Sequence, residues 1–164
     1  MVMSLLLAAC STQTILTAPE TSLKLIADTV VVNVTGPDLD AKVLDQLTRE
    51  IRGQLIIAGF EVDKKTDKTI NLNVQVTAFT PGHAALRITI GFGAGRGSLI
   101  YTAEYTDNAG QTLAKMNGRE RFTGTEISFN QNYGGLTTLG GAETATTVLI
   151  KEAAKHIVEL AVKP

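Results

Sequence analysis

Apolar positions recur along this chain with two different periods, and the switch between them lays out an order of elements. Residues 23–34, Leu-Lys-Leu-Ile-Ala-Asp-Thr-Val-Val-Val-Asn-Val, are rich in β-branched side chains and read as a strand. Thr35-Gly36-Pro37-Asp38 stops it, with Asp38 as the expected cap of a helix. From Leu39 to Ala58 the period changes: Leu39, Val43, Leu47, Ile51 and Leu55 recur every four residues, Leu44 widens the stripe, and Asp45, Arg49, Glu50 and Arg52 take the wet side of that helix. Gly59 is a natural stop. Strict alternation then returns in Ile70-Asn71-Leu72-Asn73-Val74-Gln75-Val76-Thr77, apolar on one face and amide or hydroxyl on the other. Leu86-Arg87-Ile88-Thr89-Ile90 follows, and 98–106 alternates with Leu99, Tyr101, Ala103 and Tyr105 on one face. Asp107-Asn108-Ala109-Gly110 is a turn signal, and 111–122 reads as the returning strand of a hairpin. Residues 123–141 are Gly- and Thr-rich and are expected to be loop. A last helix is predicted over Ala142–Val162, with Ala145, Leu149, Ala153, Ile157 and Leu160 on its stripe.

Strand, helix, several strands and helix predict an α+β fold: a single mixed, mainly antiparallel sheet with two helices packed on it. The first strand–helix–strand unit suits a parallel crossover, which is what makes the sheet mixed. The chain of 164 residues is long enough for one domain with a real core. Aromatics are 5% and Trp is absent, so that core must be mostly aliphatic. A net charge of −1 without a run of one sign argues against a nucleic-acid partner, which requires a basic face. The same balance argues against a polybasic membrane-surface patch.

The N-terminus changes the picture more than the composition does. Met-Val-Met-Ser-Leu-Leu-Leu-Ala-Ala-Cys is an apolar run closed by small residues, the end of a secretory signal. Leu7-Ala8-Ala9-Cys10 also resembles the bacterial lipobox, in which the cysteine sulfur receives a diacylglycerol and cleavage precedes the cysteine. Two or more acyl chains then anchor the protein to the membrane. Residues 1–9 are accordingly expected as signal, 10–22 as lipidated N-terminus and polar tether, and 23–164 as a single domain. No Lys or Arg precedes Lys24, so the basic start of the signal is expected upstream of Met1. Ser11, rather than Asp, follows the cysteine, which under the Gram-negative sorting rule implies the periplasmic face of the outer membrane. Cys10 is the lone cysteine, which excludes an internal disulfide framework and a cysteine-based zinc site.

The most unusual internal stretch is Gly91-Phe92-Gly93-Ala94-Gly95-Arg96-Gly97. It is neither a dinucleotide fingerprint, since a strand rather than a helix comes after it, nor a P-loop, since Gly-Lys-Ser/Thr is missing. If extended, it leaves one face bare for close packing. If its glycines take positive φ, its amides suit an anion beside Arg96. Arg87, Phe92 and Arg96 are the candidate binding residues. Arg87, Ile90-Gly91-Phe92-Gly93-Ala94-Gly95-Arg96, the Asp107…Gly110…Leu113 turn, Ala58-Gly59-Phe60 at a helix end and the lipobox together resemble a bacterial lipoprotein family known as domain of unknown function 4410. The resemblance spans most of residues 23–160 and implies no established activity.

Catalytic signatures are weak. His83 in the Pro81-Gly82-His83 turn has no Asp, Cys or second His nearby in sequence, and His156 near the end of the last helix suits the helix dipole. Ser98 opens no helix, so it is not a nucleophile elbow. Arg119-Glu120-Arg121 reads as an alternating strand surface, and Asn130–Gly135 as a loop of either recognition or mere connection. The expectation is a non-enzymatic, lipid-anchored envelope module without metal or cofactor. Its partners are the membrane through Cys10 and an envelope protein or cell-wall polymer. Two alternatives stand beside it. One is a small-ligand or enzymatic domain using Gly91–Gly97; the other is a secretion-pore subunit lending the 98–122 hairpin to a barrel.

Overall fold

The computed structural model describes residues 9–37, 39–82, 96–122, 126–130, 135–139 and 142–163. Strand β1 is Ala9–Thr17; a 3-10 turn, Leu23–Leu25, leads to β2, Thr29–Thr35. Helix α1, Ala41–Ile57, is followed by a two-residue β3, Glu61–Val62, and by β4, Thr69–Thr80. Then come β5, Gly97–Thr106, and β6, Thr112–Phe122. A separate hairpin, β7 (Glu126–Asn130) and β8 (Gly135–Leu139), precedes α2, Ala142–Val162.

Six strands form one sheet in the order β1-β6-β5-β4-β2-β3. β1/β6, β6/β5 and β5/β4 run antiparallel, while β4/β2 and β2/β3 run parallel. The chain is thus the expected α+β protein with a mixed sheet, and the parallel part is the predicted crossover through α1. Both helices meet each other, α1 leaning on β2 and α2 on β5 and β6.

Alternation decides the faces. Leu99, Tyr101, Ala103 and Tyr105 of β5 and Ile70, Leu72, Val74 and Val76 of β4 are buried beneath the helices, as their period of two predicts. Leu47, Ile51 and Leu55 of α1 and Leu149, Ala153 and Ile157 of α2 meet them. Each fully buried Leu or Ile contributes roughly 2 kcal/mol relative to exposure. Among the described residues no helix is long and apolar enough to cross a membrane.

Several boundaries differ from the sequence reading. The helix expected from Leu39 begins at Ala41, because Asp40 caps it: its carboxylate accepts from the Lys42 amide at 2.9 Å. Asp38, the expected cap, lies outside the described residues. Asp40→Ala is expected to cost about 1 kcal/mol and to lower the melting temperature by about 3 °C, measured by circular dichroism. Residues 23–34 divide into a turn and a shorter strand, since Leu23 is drawn into the core while Leu25 stays exposed. Residues 126–130 and 135–139, expected as loop, pair as an antiparallel ladder.

The larger difference is at the start. Residues 11–17, expected as part of a tether, belong to an edge strand paired residue for residue with β6 from Ala9↔Phe122 to Ile15↔Met116. Their Ser and Thr content suggests a solvated linker, yet β6 offers main-chain groups along its length that need partners. The hydrogen-bond ladder overrides the composition.

The β5–β6 hairpin, the candidate barrel-lending segment, occupies the middle of the sheet. β5 lies between β6 and β4, and β6 between β5 and β1. Glu104 and Lys115 do share the outer face, as an ion pair at 3.2 Å, but the inner face of the same hairpin carries the buried core.

Candidate functional site

Polar groups are buried in one place, where β1 meets β6 and α2. Period two along β6 puts Ala114, Met116, Gly118, Glu120 and Phe122 in one inward row. Glu120 is therefore turned into the core between two outward arginines and is 1% exposed. The Tyr101 hydroxyl donates to Glu120 Oε1 at 3.0 Å. His156 Nδ1 from α2 stands 3.1 Å from the same oxygen, and the Gln13 amide of β1 approaches it at 3.5 Å. Gln13 Nε2 is also 3.0 Å from His156 Nδ1. Three elements, β5, α2 and β1, thus converge on the carboxylate of a fourth, whose second oxygen, Oε2, is buried with no hydrogen-bond partner among the described residues.

The proton on His156 selects the arrangement. A ring nitrogen either carries a hydrogen or offers a lone pair, so Nδ1 serves one neighbour at a time. Protonated there, it donates to Glu120; with the hydrogen on Nε2, it accepts from Gln13. Burial, then the charge of Glu120 and its hydrogen bond, push the Tyr101 phenol well above its ordinary value, so Tyr101 is a fixed donor. Burial likewise raises Tyr105, whose hydroxyl donates to the Ile157 carbonyl at 3.1 Å and ties β5 to α2.

Gly118 makes the cluster possible. It stands opposite Tyr101 in the β5–β6 register, and a Cβ there would lie 2.1 Å from the ring's Cζ. The ring crosses over the bare glycine to reach Glu120, two residues further along the same face.

Beside the cluster is a hollow of about 190 Å³ between β1 and the last turns of α2. Gln13, His156 and the Glu159–Lys163 ion pair give it a polar wall; Ile15, Pro19, Met116 and Leu160 give it an apolar one. A carboxylate-backed imidazole is the orienting half of a proton-transfer pair. Among the described residues no hydroxyl or thiol is hydrogen-bonded to the ring to complete it.

The sequence-predicted residues fare unequally. Arg96 is exposed just before β5, and Arg87, Phe92 and His83 lie outside the described residues. Cys10 is the second residue of β1, its backbone opposite Arg121. His156, expected to serve the helix dipole, is instead a part-buried partner of Glu120, and Glu120, expected on a strand surface, is core. Gln13 and Tyr101 are functional-site members that the sequence reading misses. The signal for Glu120 is its place in the apolar row of β6. Nothing comparable marks Gln13.

Fold and site together define a small α+β domain, helix-covered on one sheet face, whose N-terminal edge strand is pinned through a buried carboxylate. The sequence profile of a domain of unknown function (DUF4410) matches residues 22–124, and the chain belongs to that family. No curated protein matches the chain. Among solved structures it is similar to a PelC dodecamer from Paraburkholderia phytofirmans, with TM-score 0.57 and 11% identity over 96% of this chain and 99% of that one. A variant of that PelC dodecamer gives TM-score 0.55 and 16% identity over 96% and 100% of the two chains. A minor lipoprotein from Acinetobacter baumannii gives TM-score 0.46 and 13% identity over 83% and 92%. At these identities the PelC likeness is one of fold.

Proposed function

We propose that this chain is a lipid-anchored cell-envelope protein that works as a non-enzymatic binding or assembly module, held on the periplasmic face of the outer membrane by lipid on Cys10. The observation that carries the reading is Cys10 at the head of β1, within the Leu7-Ala8-Ala9-Cys10 pattern and at the sheet's outer edge. A lipid on that sulfur would sit directly on a sheet strand, so the domain would ride close to the bilayer with its edge presented beside it. Acyl chains in pairs give stable anchoring where one gives marginal binding. Ser11 in place of Asp supports the outer-membrane destination. That PelC chains of this fold occur as dodecamers supports an assembly role.

Metabolic labelling tests the anchor. Radiolabelled palmitate is expected to enter the wild-type protein and to be absent from Cys10→Ala, which is expected to leave the membrane fraction. Equal labelling of the two proteins would overturn the reading.

A further inference from the structure

Among the described residues, the sheet ends differently on its two sides. One edge is the two-residue β3; the other is the nine-residue β1. Natural edge strands are usually shortened, charged or broken by proline, because a long free edge is a template for another strand. Ala9–Thr17 contains no charged residue and no proline. Its one irregularity is the register shift between Ile15 and Thr17, which leaves Ala9–Ile15 regular. The polar cluster beneath, through Gln13, fastens this edge to the core rather than hiding it.

Two further observations say what such an edge accepts. On the outer sheet face, Arg121 stands opposite Cys10 and Arg119 opposite Thr12. Lys115, the other cation of that row, is engaged by Glu104, whose carboxyl is held below its ordinary value by the Thr112 hydroxyl first and by Lys115 after it. Arg119 and Arg121 make no ion pair among the described residues. One strand, β1, separates them from the open edge, and a guanidinium reaches across one strand, since neighbouring strands are about 4.8 Å apart. On the inner face, Ile15 is 57% exposed at the mouth of the hollow formed with Met116, Leu160 and Pro19.

We infer that β1 is a docking edge for an extended segment of a partner protein in which acidic and apolar residues alternate. The segment adds a seventh strand beside Ser11–Ile15, the part of the edge that follows the lipidated cysteine. Its carboxylates meet Arg119 and Arg121 on the outer face, and its apolar side chains cover Ile15 and enter the hollow on the inner face. Main-chain hydrogen bonds supply affinity and the alternate side chains supply selection. A second copy of this chain is the poorer occupant: pairing β1 with β1 about a two-fold axis would set two Arg119–Arg121 pairs against each other on one face. The inference deepens the proposed binding role, on which it rests for the existence of a partner, but it does not require the lipid. Palmitate labelling and strand binding therefore fail independently.

The test uses the full chain in dodecyl maltoside and a fluorescent, end-blocked nonapeptide alternating glutamate with leucine and valine, read by anisotropy. A lysine-for-glutamate analogue is expected to bind about tenfold more weakly, the sum of two exposed charge pairs. Methylating alternate peptide amides on the edge-facing side is expected to abolish binding. Arg119→Glu with Arg121→Glu is expected to reverse the preference between the two peptides. Both positions are on the solvated face, so the double variant should melt within about 2 °C of the wild type. Independently of any variant, the glutamate peptide is expected to slow amide exchange along Ser11–Ile15. Failure of the glutamate peptide to bind, equal binding of both peptides, or an edge already occupied by a second copy in sedimentation would each overturn the inference.

Discussion

Gly118→Ala is expected to destabilise the fold by about 3 kcal/mol and to lower the melting temperature by roughly 10 °C for a chain of 164 residues. The new methyl would lie 2.1 Å from Tyr101 Cζ, 2.4 Å from its hydroxyl oxygen and 2.6 Å from Cε1. Neither side has room to give. The ring is 1% exposed and its hydroxyl is fixed on Glu120, while β6 is hydrogen-bonded on both sides, to β1 and β5. A tilt of the ring abandons the hydroxyl–carboxylate bond and leaves Glu120 with neither oxygen served from β5. A shift of β6 disturbs two ladders at once. Tyr101→Leu removes the obstruction, so the double variant should be more stable than the two single penalties added together, by about 1 kcal/mol or more. Urea unfolding of the four proteins measures this. Additive penalties would mean that the clash is relieved elsewhere and that the Tyr101–Gly118 crossing is unimportant.

That crossing also marks how far the sequence could be read. Period two in 70–77 and 99–105 and the four-residue stripes of both helices each report one residue's own surroundings, so the buried face and both helices were legible. The Asp107–Gly110 turn was legible for a local reason too: Asp107 accepts from the amides of Ala109 and Gln111, and Gly110 takes φ +83. Features needing two distant strands at once were not. Gly118 looks like a flaw in a strand until register sets Tyr101 opposite it. Ser11–Thr17 looks like a linker until β6 is seen to need a neighbour. Glu120 was half legible, since its parity with Met116 and Phe122 pointed inward while its two arginine neighbours pointed outward. Parity was the better guide, because alternation is enforced by the backbone whereas a carboxylate can be given hydrogen-bond partners such as Tyr101 and His156. The Gly91–Gly95 run, the strongest motif by eye, lies outside the described residues, and Arg96 alone of its candidates is placed.

His156→Ala is expected to cost about 3 kcal/mol, because it removes a partner from a buried carboxylate whose other oxygen has none among the described residues. Replacing the whole network should behave differently. In the triple variant Tyr101→Phe, Glu120→Met and His156→Leu no charge or hydroxyl is left stranded, and a well-packed apolar set is often as stable as the buried pair it replaces. Its unfolding free energy is expected to match or exceed that of the wild type. What the triple variant lacks is the anchorage of Gln13, which holds the edge strand to β6 and α2 through Glu120 and His156 at 3.5 and 3.0 Å. Amide exchange along Ser11–Ile15 should therefore quicken in the triple variant while the central strands keep their protection, since an edge opens locally at less cost than the sheet. A stable triple variant with a loosened edge would assign the cluster to presenting β1 rather than to holding the core together. If instead its edge amides exchange as slowly as in the wild type, main-chain pairing with β6 is sufficient, and the buried carboxylate has no part in preparing β1 for a partner.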